Sequence, residues 1–346
     1  MAVAPAAGED EGDRLVIVCW PDTTHTSPGW IGVHRLADDG SFEEAASYEV
    51  GRQAGKLLVA DLDQDGIDDI LVANTGGQQE QHHLSFLKGL DDGAFAEPAR
   101  FPPVSSAFVL NDVNGNGHLD MVIPEENAAL MAENIAEGAF RRDGLPGIRA
   151  RERSAGVVGG LSGHERFGVI ADYEAETIFV LPGGGAGYSE VPFPEAPGPV
   201  HSVLAVGDIN GNDRMDLIVA VQAADSIERT VHLLLGDDDG GWSLSEPIEE
   251  ITAFPQEVAL APEQRGTFIH AFVSPWADPQ EDRDFVDHVA IGADGEASTR
   301  GTIPLSHYPY SMVVGDFVGD GEAELVIRDM DGQRVTRISL VQFEQG

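Results

Sequence analysis

The sequence is poor in cysteine and in lysine. Cys19 is the only cysteine, so the chain can build neither an intrachain disulfide nor a thiolate metal cluster. Within the run LVIVCW we interpret it as a small buried apolar residue. Lys56 and Lys88 are the only lysines, and 20 basic residues stand against 60 acidic ones, which gives a formal net charge of -40. A phosphate-binding surface is therefore not expected, and nucleic acid is not expected as a partner.

Long apolar runs and familiar catalytic motifs are also missing. No stretch approaches the roughly 20 apolar residues that a bilayer-spanning helix needs, so direct membrane insertion is not expected. The first residues, MAVAPAAGEDEGDR, are too acidic and too weakly apolar for a signal peptide. There is no GxSxG elbow, no Walker loop and no HExxH or HxxxH zinc pattern. The sequence therefore assigns no catalytic residue.

What the sequence does contain is a pattern that recurs about every fifty residues. It consists of an apolar run, an acidic loop and a second apolar run, as in KLLVADLDQDGIDDILVA at 56–73. The four clearest copies begin their acidic loops at Asp61, Asp112, Asp208 and Asp316.

Three weaker copies complete the series. The intervals between the clear copies leave room for two degenerate ones, which we place at Gly160 and Pro262, and an acidic segment near Asp10 has the same outline. Between the copies lie further apolar runs with Asp-Gly or Gly-Gly turns, such as FLKGLDDGAF at 86–95. A unit of this size holds about four short strands. The sequence thus predicts an all-β fold, a seven-bladed β-propeller of four-stranded blades that forms one domain over residues 1–346, although the last unit shows only three recognisable strands.

The loop that begins at Asp61 has the composition of a calcium site. Acids occupy positions 1, 3, 5 and 9, and Gly66 at position 6 permits the sharp turn. The carbonyl of residue 67 adds a backbone oxygen, which completes the all-oxygen shell that Ca²⁺ favours. An EF-hand is excluded because position 12 is Val72 rather than a bidentate Glu. The predicted ligands are Asp61, Asp63, Asp65, Ile67 and Asp69.

Three other loops keep parts of this pattern. The second replaces two acids by asparagine, the third has Asp213 where glycine is expected, and the fourth has Val318 at position 3. We predict about two to four structural Ca²⁺ ions in these loops, with solvated Asp/Asn/Gly turns as the alternative. The further predicted ligands are Asp112, Asn114, Asn116, His118 and Asp120 in the second loop, Asp208, Asn210, Asn212, Arg214 and Asp216 in the third, and Asp316, Asp320, Glu322 and Glu324 in the fourth.

The residues from Asp61 to Asp69 match the motif DxDxDGxxD in full. The chain therefore resembles the FG-GAP or VCBS repeats of integrin α-subunit propellers and of many exported bacterial proteins. The resemblance implies a seven-bladed propeller with calcium loops on one face and ligand recognition on the opposite face. It also implies an extracellular, periplasmic or cell-surface location. Integrin identity is not implied, because the inserted domain, the disulfides and the transmembrane segment are absent.

Three functions remain open at this point. The leading one is a calcium-stabilised module that binds a glycan or a protein, the second is a sugar-active enzyme such as a propeller-fold polysaccharide lyase, and the third is an architectural domain of a longer exported protein. Candidate ligand contacts lie in segments that lead into inner strands, although packing or ion pairing explains them equally. These candidates are Arg149, Arg151, Arg153, His201, His307, Tyr308 and Tyr310.

Overall fold

The described part of the chain is almost entirely β-strand and turn. A computed structural model of the protein describes residues 1–6, 12–21, 27–76, 83–101, 108–125, 128–134, 140–144, 155–159, 167–172, 177–181, 188–192, 200–212, 214–222, 228–237, 241–251, 254–262, 269–275, 284–329 and 334–340. Within these ranges there is no helix long and apolar enough to cross a membrane.

The strands of these residues group into antiparallel sheets, and each sheet is built from strands that are consecutive in the sequence. The first two sheets contain β1 (Ala2–Ala4), β2 (Arg14–Cys19), β3 (Pro28–Leu36) and β4 (Phe42–Arg52), then β5 (Ala54–Ala60), β6 (Asp69–Asn74), β7 (His83–Leu87) and β8 (Ala99–Phe101). The next two contain β9 (Val109–Asn111), β10 (Asp120–Glu125), β11 (Ala128–Asn134) and β12 (Phe140–Gly144), then β13 (Ala155–Gly159), β14 (Phe167–Asp172), β15 (Thr177–Leu181) and β16 (Ser189–Pro192). The remaining sheets contain β17 (Val200–Gly207), β18 (Asp216–Gln222), β19 (Arg229–Gly236) and β20 (Trp242–Leu244), then β21 (Pro255–Pro262), β22 (Ile269–Pro275), β23 (Phe285–Ile291) and β24 (Ala297–Pro304), and finally β25 (Pro309–Gly315), β26 (Glu324–Asp329) and β27 (Val335–Ser339).

The first strands of the sheets contact one another in a ring. Strand β13 contacts β9 and β17, β21 contacts β17 and β25, and β1 contacts both β5 and β25. Between β5 and β9, the ammonium of Lys56 donates a hydrogen bond to the carbonyl of Phe108. Sheets arranged radially around their first strands make the predicted all-β propeller.

The predicted number of complete blades is wrong. The sequence predicts seven blades of four strands, whereas in the described residues six sheets have four strands and the last sheet has three, β25 to β27. The described residues therefore form six four-stranded blades rather than seven.

The first blade and the last sheet meet in a contact that we call the seam. The backbone N–H of Asp13 donates to the carbonyl of Asp316 at 2.6 Å, and the N–H of Asp316 donates to Asp13 Oδ2 at 2.9 Å. Farther along the same sheets, Arg328 donates to the carbonyl of Val18 at 3.0 Å. Every described strand pairs within its own sheet, so the described part of the seam uses no exchanged strand.

Burial follows the position of a strand within its blade. Almost every residue of the second strands β6, β18 and β26 is buried, because each blade is sandwiched between two others and the inner strands lose both faces to them. This is why these strands are continuously apolar rather than alternating. The fourth strands β4 and β24 are mostly exposed or half-buried. The outer edge therefore accepts charge that the core excludes.

Two of the predicted repeat positions are offset from the strand register. In the second blade, the pairing between the first and second strands ends at Ala60 and Asp69. In the first blade it ends at Ala4 and Arg14. Position 1 of the first blade is therefore the residue after Ala4, which is not Asp10; Asp10 itself lies outside the described residues. In the sixth blade Pro262 still pairs with its neighbour strand, so it is equivalent to Ala60 rather than to Asp61.

Candidate functional site

The loop at 61–69 brings three predicted ligands together. One carboxylate oxygen each from Asp61, Asp63 and Asp65 lie within 4.8 Å of one another. Gly66 has a φ of +87°, which an L side chain rarely adopts, and its N–H donates to Asp61 Oδ2 at 3.0 Å. The other oxygen of Asp61 is buried and accepts no hydrogen bond from any described residue. Three converging carboxylates and a free buried oxygen fit the donor set of a calcium ion.

A lysine from the neighbouring hairpin also enters this loop. Lys88 follows β7, and its ammonium contacts Asp63 Oδ2 and lies 2.7 Å from Asp65 Oδ2. Hydrogen bonds to these two carboxylates raise the pKa of Lys88 above its ordinary value. The side chain of Asp63 is only 8% exposed. A fixed cationic group therefore sits against two of the three carboxylates that we predict as calcium ligands.

The acid at position 9 has a different environment. Asp69 is fully buried, and its two oxygens accept the N–H groups of Leu62 at 3.0 Å and Gly89 at 2.8 Å. Burial raises the pKa of Asp69 to about 6. Gly89 allows this approach, since a Cβ there would lie 2.5 Å from the carbonyl of Asp68. Asp69 therefore ties the loop to the third strand of its own blade.

The same arrangement recurs in the third acidic loop. Asp216 accepts hydrogen bonds from the N–H groups of Ile209 at 2.9 Å, Asn210 at 3.2 Å and Gly236 at 2.9 Å, and burial raises its pKa to about 6. Asp120 and Glu324 accept the equivalent first bond, from Val113 at 3.2 Å and from Phe317 at 2.9 Å. In all four loops the acid at position 9 is thus an internal hydrogen-bond acceptor.

The loop at 112–120 is held by its own side chains. Asp112 accepts the N–H groups of Gly115 at 2.8 Å, Asn116 at 3.1 Å and Gly117 at 3.0 Å. The amide oxygen of Asn116 accepts the N–H of His118 at 2.8 Å. Gln64 of the first acidic loop donates to the carbonyl of Gly117 and joins the two loops. The predicted oxygen donors are present here.

The remaining two acidic loops depart further from the motif. Asp208 accepts the N–H of Asn212 at 2.9 Å, while Asp213, the predicted departure at position 6, lies outside the described residues. Asp316 accepts the N–H of Gly319 at 2.7 Å and of Gly321 at 2.8 Å. Val318 occupies position 3 of that loop and is 43% exposed. Its aliphatic side chain has no atom that could bind a metal ion.

The four acidic loops share one length, and the other three do not. At each acidic loop, the two residues of the last pair between the first and second strands are nine positions apart in the sequence. These pairs are Ala60 with Asp69, Asn111 with Asp120, Gly207 with Asp216 and Gly315 with Glu324. The other blades differ from this spacing and from one another, with the pairs Ala4 and Arg14, Gly159 and Phe167, and Pro262 and Ile269. A common length together with common acids indicates that the four loops serve one purpose.

Exposed aromatic side chains lie at the other end of the strands. Four large apolar side chains of the described residues are exposed. Trp30 near the start of β3 and Tyr310 near the start of β25 lie toward the face opposite to the acidic loops, and they are 39% and 40% exposed. Leu90 and Val318, which are aliphatic, lie on the acidic-loop face. We call the face with Trp30 and Tyr310 the aromatic face.

The other predicted ligand contacts are either engaged elsewhere or not described. The hydroxyl of Tyr308 lies 2.6 Å from Gln256 Oε1 and 2.5 Å from the carbonyl of Pro275, so it links the sixth blade to the last sheet. Arg334 contacts the ring of His307. His201 lies in β17, and the placement of its side chain is outside the described part, as are Arg149, Arg151 and Arg153.

Sequence reasoning missed a buried histidine pair. His270 Nδ1 lies 2.8 Å from His288 Nε2 on the neighbouring strand, and the ring of His288 stacks on Phe272 with centroids 5.0 Å apart. Burial, followed by the field of His270, lowers the pKa of His288 to about 4. The signal in the sequence is weak, since the two residues are far apart and only the strand register brings them together.

Comparison with known proteins supports the repeat and the fold. The FG-GAP-like repeat family matches residues 61–123, which span the first two acidic loops. No curated protein matches the chain.

Solved structures that resemble the chain cover nearly all of it. A protein from Lactobacillus plantarum has a TM-score of 0.58 at 13% identity and covers 94% of this chain and 95% of its own. The periplasmic gluconolactonase of Pseudomonas aeruginosa has a TM-score of 0.53 at 14% identity, with 94% of each chain covered. The WD40 domain of Toxoplasma gondii coronin has a TM-score of 0.57 at 11% identity and covers 97% of this chain and 83% of its own. At such identities the likeness shows the fold alone. The chain is thus a β-propeller repeat protein that carries an FG-GAP-like repeat in residues 61–123.

Proposed function

We propose that the protein is a calcium-stabilised binding module that recognises a glycan or a protein ligand on its aromatic face. The observation that carries this proposal is the exposure of Trp30 and Tyr310 at the end of the strands opposite to the acidic loops. Tryptophan and tyrosine combine a large apolar surface with a polar group, and they are enriched where proteins contact ligands. The two side chains belong to the first blade and the last sheet, which adjoin at the seam.

The calcium part of the proposal is supported by the donor set. About two to four Ca²⁺ ions would be held by the carboxylate and amide oxygens at positions 1, 3 and 5 of the acidic loops, as at Asp112, Asn114 and Asn116. When bound, the ion supplies positive charge that offsets the negative charge of the acids in the loop. The acids at position 9 keep the loop closed whether or not an ion is present.

The ring itself supplies a rigid support for the aromatic face. We infer that the three-stranded sheet β25–β27 serves as the seventh blade and that residues 1–346 form one propeller, because the seam joins this sheet to the first blade through Asp13, Asp316 and Arg328. Calcium loops of this kind fit an extracellular or periplasmic location, where free calcium is abundant.

The test compares exposed side chains on the two faces. Trp30→Ala and Tyr310→Ala are to be measured beside Leu90→Ala and Val318→Ala on an array of neutral and acidic glycans, with absorbance of unsaturated products as the assay for lyase activity. The aromatic variants should lose about tenfold or more in retention, and the aliphatic controls should retain wild-type binding. Loss of binding in the controls but not in the aromatic variants would contradict the proposal.

A further inference from the structure

Lys88 occupies an unusual position for a lysine in this chain. The protein has two lysines among 60 acidic residues, yet one of them reaches into the loop whose acids match the calcium motif best. Its ammonium contacts both Asp63 Oδ2 and Asp65 Oδ2, and both carboxylates are predicted calcium ligands. Because two oxygens from different residues converge on one nitrogen, the contact is more than a single surface ion pair.

The geometry points to an internal cation. We propose that the ammonium of Lys88 takes the place of a calcium ion in the 61–69 loop, so that the carboxylates of Asp63 and Asp65 are neutralised without metal, while the other acidic loops bind calcium. The inference rests on the proposed calcium role of those other loops. An ammonium and a calcium ion compete for the same space, since both need the oxygens of Asp63 and Asp65 within about 3 Å.

The local backbone fixes the lysine in this place. Residue 88 lies between β7 and Gly89, whose N–H is bound by Asp69 at 2.8 Å. The carbonyl of Lys88 accepts the N–H of Ala96 at 2.8 Å. Both neighbouring backbone bonds hold the Cα of residue 88 beside the loop, so the ammonium is tethered at high effective concentration. A free calcium ion must displace this tethered group before it can bind three carboxylates.

The third acidic loop provides the internal comparison. Gly236 corresponds to Gly89, because each donates its N–H to the acid at position 9. The residue before Gly236 is Leu235, which corresponds to Lys88 and carries no charge. The loop at 208–216 therefore has the same backbone frame but no cationic side chain at the position of Lys88; its basic residue, Arg214, lies at position 7 of the loop itself.

The experiment counts bound calcium ions. Wild-type protein, Lys88→Met and Lys88→Arg are dialysed to equilibrium against one fixed concentration of free calcium, and protein-bound calcium is measured by elemental analysis. We expect Lys88→Met to bind one ion more than the wild type, and Lys88→Arg, which keeps the charge, to bind the wild-type number. The extra ion should disappear in the double variant Asp61→Asn with Lys88→Met.

The other possible ion counts either overturn or support the proposal. Equal ion numbers in wild type and Lys88→Met would overturn the proposal, as would an extra ion that persists in the double variant. A smaller ion number in Asp61→Asn than in the wild type would also overturn it, because calcium would then already occupy the loop beside Lys88. If Lys88→Met folds only when calcium is added, the proposal is supported; if it folds at no calcium concentration, ammonium and calcium are not interchangeable and the proposal fails.

Failure of the proposed function gives a different result. Wild-type protein would then bind no calcium, and Asp112→Asn would leave its ion number unchanged.

Discussion

The hairpin between the first two strands ends differently in the four blades with an acid at position 9 and in the other three blades. In the second blade the last ladder residue is Asp69, which is fully buried and accepts two backbone N–H bonds. In the first blade the equivalent residue is Arg14, also buried, which instead donates to the carbonyls of Pro5 at 2.7 Å and of Gly93 and lies over the ring of Phe95. In the fourth and sixth blades the position holds the apolar Phe167 and Ile269.

Strand pairing does not depend on the residue type at this position, whereas loop length does. The strands pair in the same way whether the residue at this position accepts hydrogen bonds, donates them or does neither. The loop length, by contrast, is constant only where the acid is present. The acid at position 9 therefore sets the loop geometry, and the acids at positions 1, 3 and 5 act on a loop whose shape is already fixed.

The largest effect should come from removing this buried acceptor. Asp216→Ala leaves the N–H groups of Ile209, Asn210 and Gly236 without their partner, and we expect it to lower the free energy of unfolding by about 3 kcal/mol. Urea unfolding with and without a chelator measures the change. Asp216→Asn, which keeps one acceptor oxygen, is the matched control and should lose less. An equally small loss for both variants would mean that the acid does not hold the loop.

A second, somewhat smaller effect should follow in the hairpin of the first blade. Arg14→Ala removes a buried donor to two carbonyls and a stacking contact with Phe95, so the free energy of unfolding should fall by about 2 kcal/mol. The loss should be the same in calcium and in chelator, because positions 1 and 3 of this hairpin are Pro5 and Ala7, which offer no carboxylate. A calcium-dependent loss would break the distinction between the two kinds of hairpin.

Calcium removal should produce an intermediate change. Chelation is expected to lower the melting temperature of the wild type by several degrees, because it removes ions that bind the folded loops and not the unfolded chain. Asp112→Asn keeps hydrogen-bond acceptors but removes a charge, so it should reduce the difference between the two melting temperatures. The informative control is Asp61→Asn, in the loop that Lys88 enters, which should leave the difference unchanged. Differential scanning calorimetry in both buffers measures these differences, and a wild-type curve indifferent to chelator would refute the calcium role.

The smallest change should be a gain. Val318→Asp places an acid at position 3 of the fourth loop, where the exposed valine contributes no ligand. We expect the variant to melt about one or two degrees higher than the wild type in calcium, with little change in chelator. Val318→Asn supplies an oxygen without charge and should give a smaller gain. A decrease in calcium would show that this loop does not take the geometry of the others.

The repeat pattern was enough to predict much of this molecule because turns and buried strands leave local signals. The acidic loops begin where the sequence places Asp61, Asp112, Asp208 and Asp316, and their flanking apolar runs are strands. In the first blade the acids near Asp10 resemble the motif but do not coincide with its position 1, because the pairing of the first strand ends at Ala4.

Other features have no local signal. Asp69 has the same residue type as the predicted ligands before it, and only the folded structure shows that it is buried and accepts backbone hydrogen bonds. Lys88 lies 25 positions from Asp63 in the sequence, so only the folded hairpin brings the two together. The aromatic face likewise depends on which tryptophan and tyrosine side chains the packing leaves exposed.

The seam has a consequence for how the chain folds. Each sheet forms from consecutive strands, so most pairing involves residues close in sequence, and single blades can form early. The bond between Asp13 and Asp316 instead joins residues 303 positions apart. The entropy cost of closing so long a loop grows only with the logarithm of its length, but all of it is incurred when the seam forms. We therefore expect ring closure to be the last step of folding, and the ring to open first at the seam when the protein unfolds.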